Sequence, residues 1–154
     1  ICSSGTRRKS LKAEVVVAGE VTGSVDRGLL VLAGVHKDDT DADRRWMGER
    51  LVGLRVFPDA EGKMNLSVAQ AGGGVLLIPN FTLCAQTGKG HRPSFIDAMP
   101  PAQAELVFTG LCDAVAAAGV PTARGVFGAH MEVSLVNDGP ITIVLDSLEH
   151  KARC

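Results

Sequence analysis

Residues 28–35 read Gly-Leu-Leu-Val-Leu-Ala-Gly-Val, a nearly continuous apolar run between Asp26-Arg27 and the polar stretch Lys37-Asp38-Asp39. An apolar run of this length, bounded by turn residues, is typical of a strand buried in the interior of a sheet. A second run, Val75-Leu76-Leu77-Ile78, follows three consecutive glycines at positions 72–74. These two runs are therefore predicted to be the buried strands of the domain.

The other strands are predicted from β-branched residues or from alternation of apolar and polar residues. They cover residues 14–18, 21–25, 55–57, 131–136 and 141–145. A turn at Asn137-Asp138-Gly139-Pro140 separates the last two strands. Residues 59–66 and 87–93 are predicted to be polar loops.

Two helices are predicted, from Thr40 or Asp41 to Leu54 and from Pro101 to Ala118, the second followed by Gly119 as a terminator. Apolar residues recur along one face of each: Met47, Leu51 and Leu54 in the first, and Val107, Leu111, Val115 and Ala118 in the second. About seven strands and two helices, without regular alternation, favour a mixed α/β domain. We expect barrel-like curved β-sheets with two outer helices.

The chain has 154 residues and a mass of 16.1 kDa, which predicts a single domain spanning residues 1–154. Residues 1–12 and 149–154 are expected to be poorly ordered ends. A hydrophobic content of 45% indicates a globular protein. A net charge of −1 argues against a protein that coats DNA or other nucleic acid through bulk positive charge.

The sequence favours a cytoplasmic protein that is not bound to a membrane. Its longest apolar runs are far shorter than the ~18 residues of a membrane span, and the polar N-terminal stretch has no signal-peptide pattern. The cysteines lack metal-ligand or disulfide spacing, which is typical of reduced thiols; they are Cys2, Cys84, Cys112 and Cys154.

Strong signatures of cofactor and catalytic sites are missing from the sequence. It has no phosphate-binding P-loop, no H-E-x-x-H and no G-x-S-x-G. Gly88-x-Gly90 follows a strand, but Pro93 replaces the third glycine of a dinucleotide fingerprint. The histidines show no ligand spacing, so we expect neither a metal nor a cofactor; they are His36, His91, His130 and His150. Cys84 lies near His91 in sequence, which does not by itself indicate a thiol nucleophile.

Two segments are unusually specific. The first is Pro79-Asn80-Phe81-Thr82-Leu83 with residues 88–95, Gly-Lys-Gly-His-Arg-Pro-Ser-Phe. The second is residues 127–142, Phe-Gly-Ala-His-Met-Glu-Val-Ser-Leu-Val-Asn-Asp-Gly-Pro-Ile-Thr. With residues 28–32, 54–57 and 61–67, they resemble the D-aminoacyl-tRNA deacylases, from about Ala13 to Ser147. The most specific elements are the Asn-x-Gly-Pro-x-Thr pattern and Arg92-Pro93-Ser94-Phe95.

This resemblance implies a homodimer that hydrolyses the ester of D-aminoacyl-tRNA and spares the L-form. Gly139-Pro140 would form a cis peptide that enters the partner subunit's site and reads chirality through its backbone carbonyls. Glycine permits close approach, and a cis bond costs ~0.5–1 kcal/mol before proline against ~2.5–4 kcal/mol elsewhere. Without the resemblance, Gly139-Pro140 is a plain turn. The resemblance implies further substrate-binding positions, which are Asn137, Thr142, Phe127, Gly128 and Met131. For the apolar residues among them, packing in the core is the alternative.

The family's catalytic motif, Ser-Gln-x-Thr, reads Pro79-Asn80-Phe81-Thr82 here. Asn80 keeps an amide that is one methylene shorter, and Pro79 removes a hydroxyl and a backbone N–H. The resemblance implies catalysis by main-chain positioning, with water as nucleophile, the 2′-OH of the tRNA assisting and N–H groups near Phe81 stabilising the oxyanion. Thr82 is either a positioning group or the nucleophile, and no base lies beside it in sequence.

Lys89, His91 and Arg92 are candidates for contacts with tRNA phosphates, a solvated loop being the alternative. The basic cluster at residues 7–12 either contacts the tRNA backbone or is a free tail.

Two other functions stay open. One is a tRNA-binding module without catalysis, which tight binding without turnover would reveal. The other is a deacylase that removes small mischarged amino acids, which substrate profiling would reveal.

Overall fold

The computed structural model describes residues 2–3, 12–88, 90–137 and 141–148. The strands are β1 (Cys2–Ser3), β2 (Ala13–Val17), β3 (Glu20–Val25), β4 (Gly28–Ala33), β5 (Phe57–Pro58), β6 (Met64–Leu66), β7 (Gly74–Pro79), β8 (Thr122–Arg124), β9 (Glu132–Leu135) and β10 (Ile141–Thr142). The helices are α1 (Asp41–Gly53) and α2 (Pro101–Ala117), and a short 3₁₀ turn covers Phe81–Cys84. None of the helices described is long and apolar enough to cross a bilayer.

The strands form two main sheets. The larger has the order β10-β1-β4-β7-β8, in which β4, β7 and β8 run parallel and β1 runs against its neighbours. The smaller is the antiparallel sheet β3-β2-β9, and β5 and β6 make a separate hairpin. The register pairs Gly28 with Gly74 and Ala33 with Pro79, so β4 and β7 begin and end together. Their carboxyl ends therefore meet at one edge of the larger sheet.

Side chains on the two faces of the larger sheet enter two separate cores, because successive residues of a strand point to opposite faces. One core lies beneath the helices and contains Leu29, Val31, Val75 and Leu77 with Leu51, Phe108, Leu111 and Val115. The other lies against the smaller sheet and contains Leu30, Leu76 and Ile78 with Ala13 and Val15. The helices, the larger sheet and the smaller sheet are thus stacked as three layers.

Both helices begin and end where the sequence predicts, within one residue. Thr40 and Asp43 form a capping box, in which the backbone N–H of Thr40 donates to Asp43 Oδ2 at 2.8 Å and the Thr40 hydroxyl donates to the same oxygen at 2.6 Å. Pro101 opens α2, and Gly119, with φ of +80°, follows its end. The helices are tied together where Arg44 Nη1 donates to the Gly110 carbonyl at 2.9 Å.

The mixed α/β class is confirmed, and four details of the prediction were wrong. β6 lies within the predicted loop 59–66, and β8 was not predicted because a strand of three residues shows no alternation. β5 includes Pro58, and β10 ends at Thr142. Among the described strands no pairing joins the two main sheets, so the barrel-like curvature stays a prediction.

Burial raises the pKa of the Cys112 thiol from its ordinary value of 9.0 to about 11, because the thiolate would lose its hydration on the inner face of α2. The pKa of Cys112 is higher in the folded state than in the unfolded state, so the protonated thiol contributes its full stabilisation below pH 9. This contribution is lost as the pH rises towards 11. We expect the free energy of unfolding to fall by about 2 kcal/mol from this group by pH 10.5. Urea unfolding of the natural chain and of Cys112→Ala at pH 7 and 10.5 checks this. The stability gap between them should narrow at high pH, and a constant gap would contradict it.

Candidate active site

The site begins where β7 leaves the larger sheet. The backbone N–H of Asn80 donates to the Ala33 carbonyl at 2.8 Å, which is the last bond between this chain segment and β4. The side chain of Asn80 then caps the 3₁₀ turn, since its Oδ1 accepts from the N–H of Thr82 at 3.1 Å and from the Thr82 hydroxyl. Asn80 thereby orients both polar groups of Thr82 at an exposed turn.

Pro79 is tolerated at the end of a central strand because of its register. Val75 N donates to the Pro121 carbonyl, and the Leu77 carbonyl accepts from Gly125 N, so the odd-numbered residues of β7 face β8. β8 ends at Arg124, opposite Leu77. The nitrogen of Pro79 therefore faces a position beyond the end of β8, where no ladder donor is needed.

Gly34 lies directly beneath the turn. A Cβ at this position would be 3.0 Å from the Leu83 Cβ and 3.1 Å from the Asn80 carbonyl oxygen. The chain that leaves β4 and the turn that follows β7 are therefore packed backbone against backbone. This close approach limits movement of the turn towards the sheet.

One backbone donor of the turn is available to a ligand. The first N–H groups of a helical turn have no acceptor within the turn. The N–H of Thr82 donates to the Asn80 side chain. The N–H of Phe81, in contrast, has no hydrogen-bond acceptor among the described residues. A free N–H beside an oriented threonine can stabilise negative charge on a substrate oxygen.

Aromatic side chains lie next to this donor. The rings of Phe81 and Phe95 pack edge to face, with centroids 5.1 Å apart. Phe81 is 58% exposed, and Leu83 and Ile96 beside these rings are also exposed. An exposed aromatic and apolar surface around a polar turn suits the stacking of a base or an apolar side chain. No sequence spacing indicates the Phe81–Phe95 contact, because it depends on the fold of the loop between them.

The loop between the two phenylalanines is closed at its base by backbone bonds. Gln86 N donates to the Ser94 carbonyl at 2.8 Å, and Ser94 N donates to the Gln86 carbonyl at 3.0 Å. His91 and Arg92 are exposed in this loop, which is compatible with phosphate contacts. Lys89 lies outside the described residues.

The structure brings Met131 to this region but places Phe127 elsewhere. The Met131 sulfur lies 2.7 Å from where a Cβ would be on Gly125, beside Pro79, so Met131 packs near the end of β7. Phe127 is half-buried against the helix-side core, with its ring 6.3 Å from that of Phe108. Gly128 is exposed with φ of +74°. Substrate contacts of these residues stay predictions.

Asn137 and Thr142 bracket the predicted chiral filter. Asn137 Nδ2 donates to the Ile141 carbonyl and to the Thr142 hydroxyl, both at 3.4 Å. Residues 138–140, with Gly139 and Pro140, lie outside the described residues. Asn137 and Thr142 are thus next to each other but are not brought to Asn80.

The distance between these two halves follows from the sheet register. Ile141 pairs with Ser3, Ser3 with Leu29, and Leu29 with Val75, five residues before Asn80. Three strand spacings of about 4.8 Å and five residues of about 3.3 Å put Ile141 roughly 20 Å from Asn80 in one chain.

The ionisable groups in the described ranges suggest no alternative chemistry. Burial, together with the Asp39, Asp97 and Asp146 carboxylates, raises the pKa of the Cys84 thiol, which keeps it protonated and a poor nucleophile at neutral pH. No group of three His, Cys, Asp or Glu side chains in the described part of the chain could hold a metal ion. The Thr82 hydroxyl donates to an amide oxygen, which is not a base. The arrangement therefore favours positioning over a side-chain nucleophile.

A model of the D-Tyr-tRNA(Tyr) deacylase family matches residues 8–146, a range that includes the Asn80 turn and the segment 127–142. The chain belongs to this family. Relatives named D-aminoacyl-tRNA deacylase are 48% identical in Geobacter metallireducens, 53% in Opitutus terrae and 53% in Pseudomonas fluorescens. Each alignment covers 88% of this chain and, in the same order, 90%, 91% and 93% of the relative.

Two solved structures have a similar fold. The c-Myc DNA Unwinding Element Binding Protein superposes with a TM-score of 0.83 and 34% identity, over 90% of this chain and 94% of that one. A probable eukaryotic D-amino acid tRNA deacylase has a TM-score of 0.71 and 16% identity, over 86% and 92%. The second likeness shows a shared fold. The deacylase family resemblance predicted from the sequence is thus confirmed.

Proposed function

We propose that this chain hydrolyses the ester of D-aminoacyl-tRNA to free D-amino acid and tRNA, a chiral proofreading step that takes place in the cytoplasm. The observation that carries the proposal is the turn capped by Asn80, which presents the free N–H of Phe81 and an oriented Thr82 beside exposed aromatic rings. Family membership supplies the substrate class. A net charge of −1 gives no general attraction for a DNA backbone.

In the proposed step, water attacks the carbonyl carbon of the ester. The carbonyl oxygen becomes an oxyanion that accepts a hydrogen bond from Phe81 N–H. The bond between that carbon and the ribose oxygen then breaks, and the proton that the attacking water loses passes through the neighbouring 2′-OH to the ribose oxygen. Thr82 is a positioning group and not the nucleophile, because its hydroxyl donates its proton to Asn80.

We propose that Gly139-Pro140 acts in a homodimer, on the site of the partner subunit. Support comes from the roughly 20 Å that the sheet register puts between Ile141 and Asn80 of one chain. A filter next to Ile141 would then serve the turn of the partner subunit and not the turn of its own chain. Asn137 would hold the filter segment by its bonds to Ile141 and Thr142. Backbone atoms would read chirality, because a missing hydrogen bond discriminates by ~10⁴–10⁵ whereas apolar size gives only ~10–200.

The tRNA acceptor end would lie across Phe81 and Phe95, with phosphates near Lys89, His91 and Arg92. Exposed rings give stacking that does not depend on sequence, and a basic loop gives attraction that weakens with salt. We expect the KM for tRNA to rise steeply between 50 and 200 mM salt. A flat response would remove the phosphate contacts from the proposal.

The proposal is tested by side-by-side deacylation of D-Tyr-tRNA and L-Tyr-tRNA with the purified protein. We expect rapid loss of the D-ester alone. Loss of neither ester with tRNA still bound would indicate a binding module. Loss of both would contradict the Gly139-Pro140 filter, and hydrolysis of alanine from a mischarged tRNA in place of the D-ester would indicate the related deacylase.

A further inference from the structure

The chain leaving β4 and the chain entering α2 are joined by backbone bonds. Lys37 N donates to the Asp97 carbonyl at 2.8 Å, and Met99 N donates to the Val35 carbonyl at 3.0 Å. His36 and Ala98 form an antiparallel bridge between them. The backbone at Asp97 is therefore held in place without any help from its side chain.

The carboxylate of Asp97 adds a link that the backbone does not provide. One of its oxygens accepts from Lys37 Nζ at 2.6 Å, and the other accepts from Gln86 Nε2. The Asp97 side chain is 18% exposed and that of Lys37 44% exposed, so the pair is partly shielded from water. These bonds also keep the pKa of Asp97 below its ordinary value, with Lys37 as the main cause. Asp97 thus remains an acceptor at neutral pH.

Gln86 is the residue at the base of the loop that continues to Phe95. Its backbone exchanges two bonds with Ser94, and Phe95 follows directly and packs against Phe81. Within the described ranges, the Gln86 side chain is the part of this loop that bonds to Asp97. The bond between Asp97 and Gln86 thus joins the backbone segment at Asp97, which is held in place, to the loop that carries His91 and Arg92.

We propose that Asp97 and Gln86 form a clasp that sets the position of loop 86–95 relative to the Asn80 turn and thereby the affinity for the tRNA acceptor end. This inference rests on the proposed function, because it assigns the loop to tRNA binding. Both clasp residues are positioning residues. Neither bonds to Asn80, Phe81 or Thr82 in the described structure, so the clasp acts on KM and leaves kcat nearly unchanged.

The test uses Gln86→Glu, which keeps the shape of the side chain but sets two carboxylates against each other. We expect KM for D-Tyr-tRNA to rise about tenfold, kcat to stay within twofold, and amide exchange at Gln86 and Ser94 to accelerate. The double variant Gln86→Glu with Asp97→Asn should recover wild-type KM and exchange. In it, the new amide donates to the new carboxylate while its oxygen still accepts from Lys37.

Gln70→Glu is the matched control, since it adds the same charge at the turn before β7, the opposite end of that strand. Gln70 Oε1 accepts from Ser67 N at 2.9 Å, a bond that a carboxylate keeps. A higher KM in Gln86→Glu without faster exchange at Ser94 would mean simple repulsion of tRNA and would overturn the clasp. Unchanged KM and exchange with an active wild type would overturn the clasp alone. No hydrolysis by the wild type would overturn both the proposed function and the effect of the clasp on KM.

Discussion

Asn80→Ala is expected to lower kcat for D-Tyr-tRNA hydrolysis about 100-fold, while the affinity for tRNA changes little. Alanine removes the acceptor for both the N–H and the hydroxyl of Thr82, so the turn loses its cap and its orientation. Loss of one well-placed oxyanion contact costs ~10²–10³ in kcat, and an uncapped turn would misplace the Phe81 N–H. Single-turnover kinetics with saturating enzyme measures the chemical step directly.

Variants at Thr82 separate positioning from nucleophilic catalysis at the same turn. Thr82→Ser keeps the hydroxyl that donates to Asn80, and it should have nearly wild-type kcat. Thr82→Ala should keep measurable turnover, about a tenth to a hundredth of the wild-type rate, because water is the proposed nucleophile. Complete loss of turnover in Thr82→Ala with tRNA binding intact would contradict the positioning role.

Gly28→Ala is expected to destabilise the fold by about 3 kcal/mol or more, a large part of the 5–15 kcal/mol that stabilises a typical domain. A Cβ at Gly28 would lie 1.8 Å from the carbonyl oxygen of Gly74, which is backbone and has no rotamer with which to move away. Gly28 and Gly74 are the first pair of the parallel β4–β7 ladder, so the clash would separate the two central strands. Urea unfolding followed by circular dichroism measures the loss.

Gly53→Ala provides the control for this substitution. Gly53 is the last residue of α1, and a Cβ there would have no atom within 4 Å. We expect its stability to equal or slightly exceed that of the natural chain, because alanine reduces the entropy of the unfolded state. Equal stability of Gly28→Ala and Gly53→Ala would show that the register of β4 against β7 is wrong.

Elements with long local patterns were predicted best. The helices at 41–53 and 101–117 were predicted within one residue at both ends, because caps, proline and the 3.6-residue period act locally. The buried strands Gly28–Ala33 and Gly74–Pro79 were predicted because a strand covered on both faces is apolar throughout. β8 was missed, since three residues paired to a longer neighbour need no pattern of their own.

The site divides in the same way. Asn80, Phe81 and Thr82 are adjacent in sequence, so their grouping was predictable, and the cap that joins them is a local Asn bond. The contact of Phe81 with Phe95 and the bonds of Asp97 to Lys37 and Gln86 were not predictable. These contacts join residues that are separated along the chain, and only the packing of the loops at the sheet edge brings them together.

The sequence by itself determined the family, the two helices, the two buried strands and the residues of the turn at the candidate site, because each is encoded in a short continuous motif or a local period. Only the tertiary structure decided which edge of the sheet carries that turn, how Gln86 is tied to Asp97, and how far Ile141 lies from Asn80. These are consequences of strand order and register. Register is set by backbone pairing and close packing between distant segments, as at Gly28 and Gly74, and a linear pattern of residues does not contain that information.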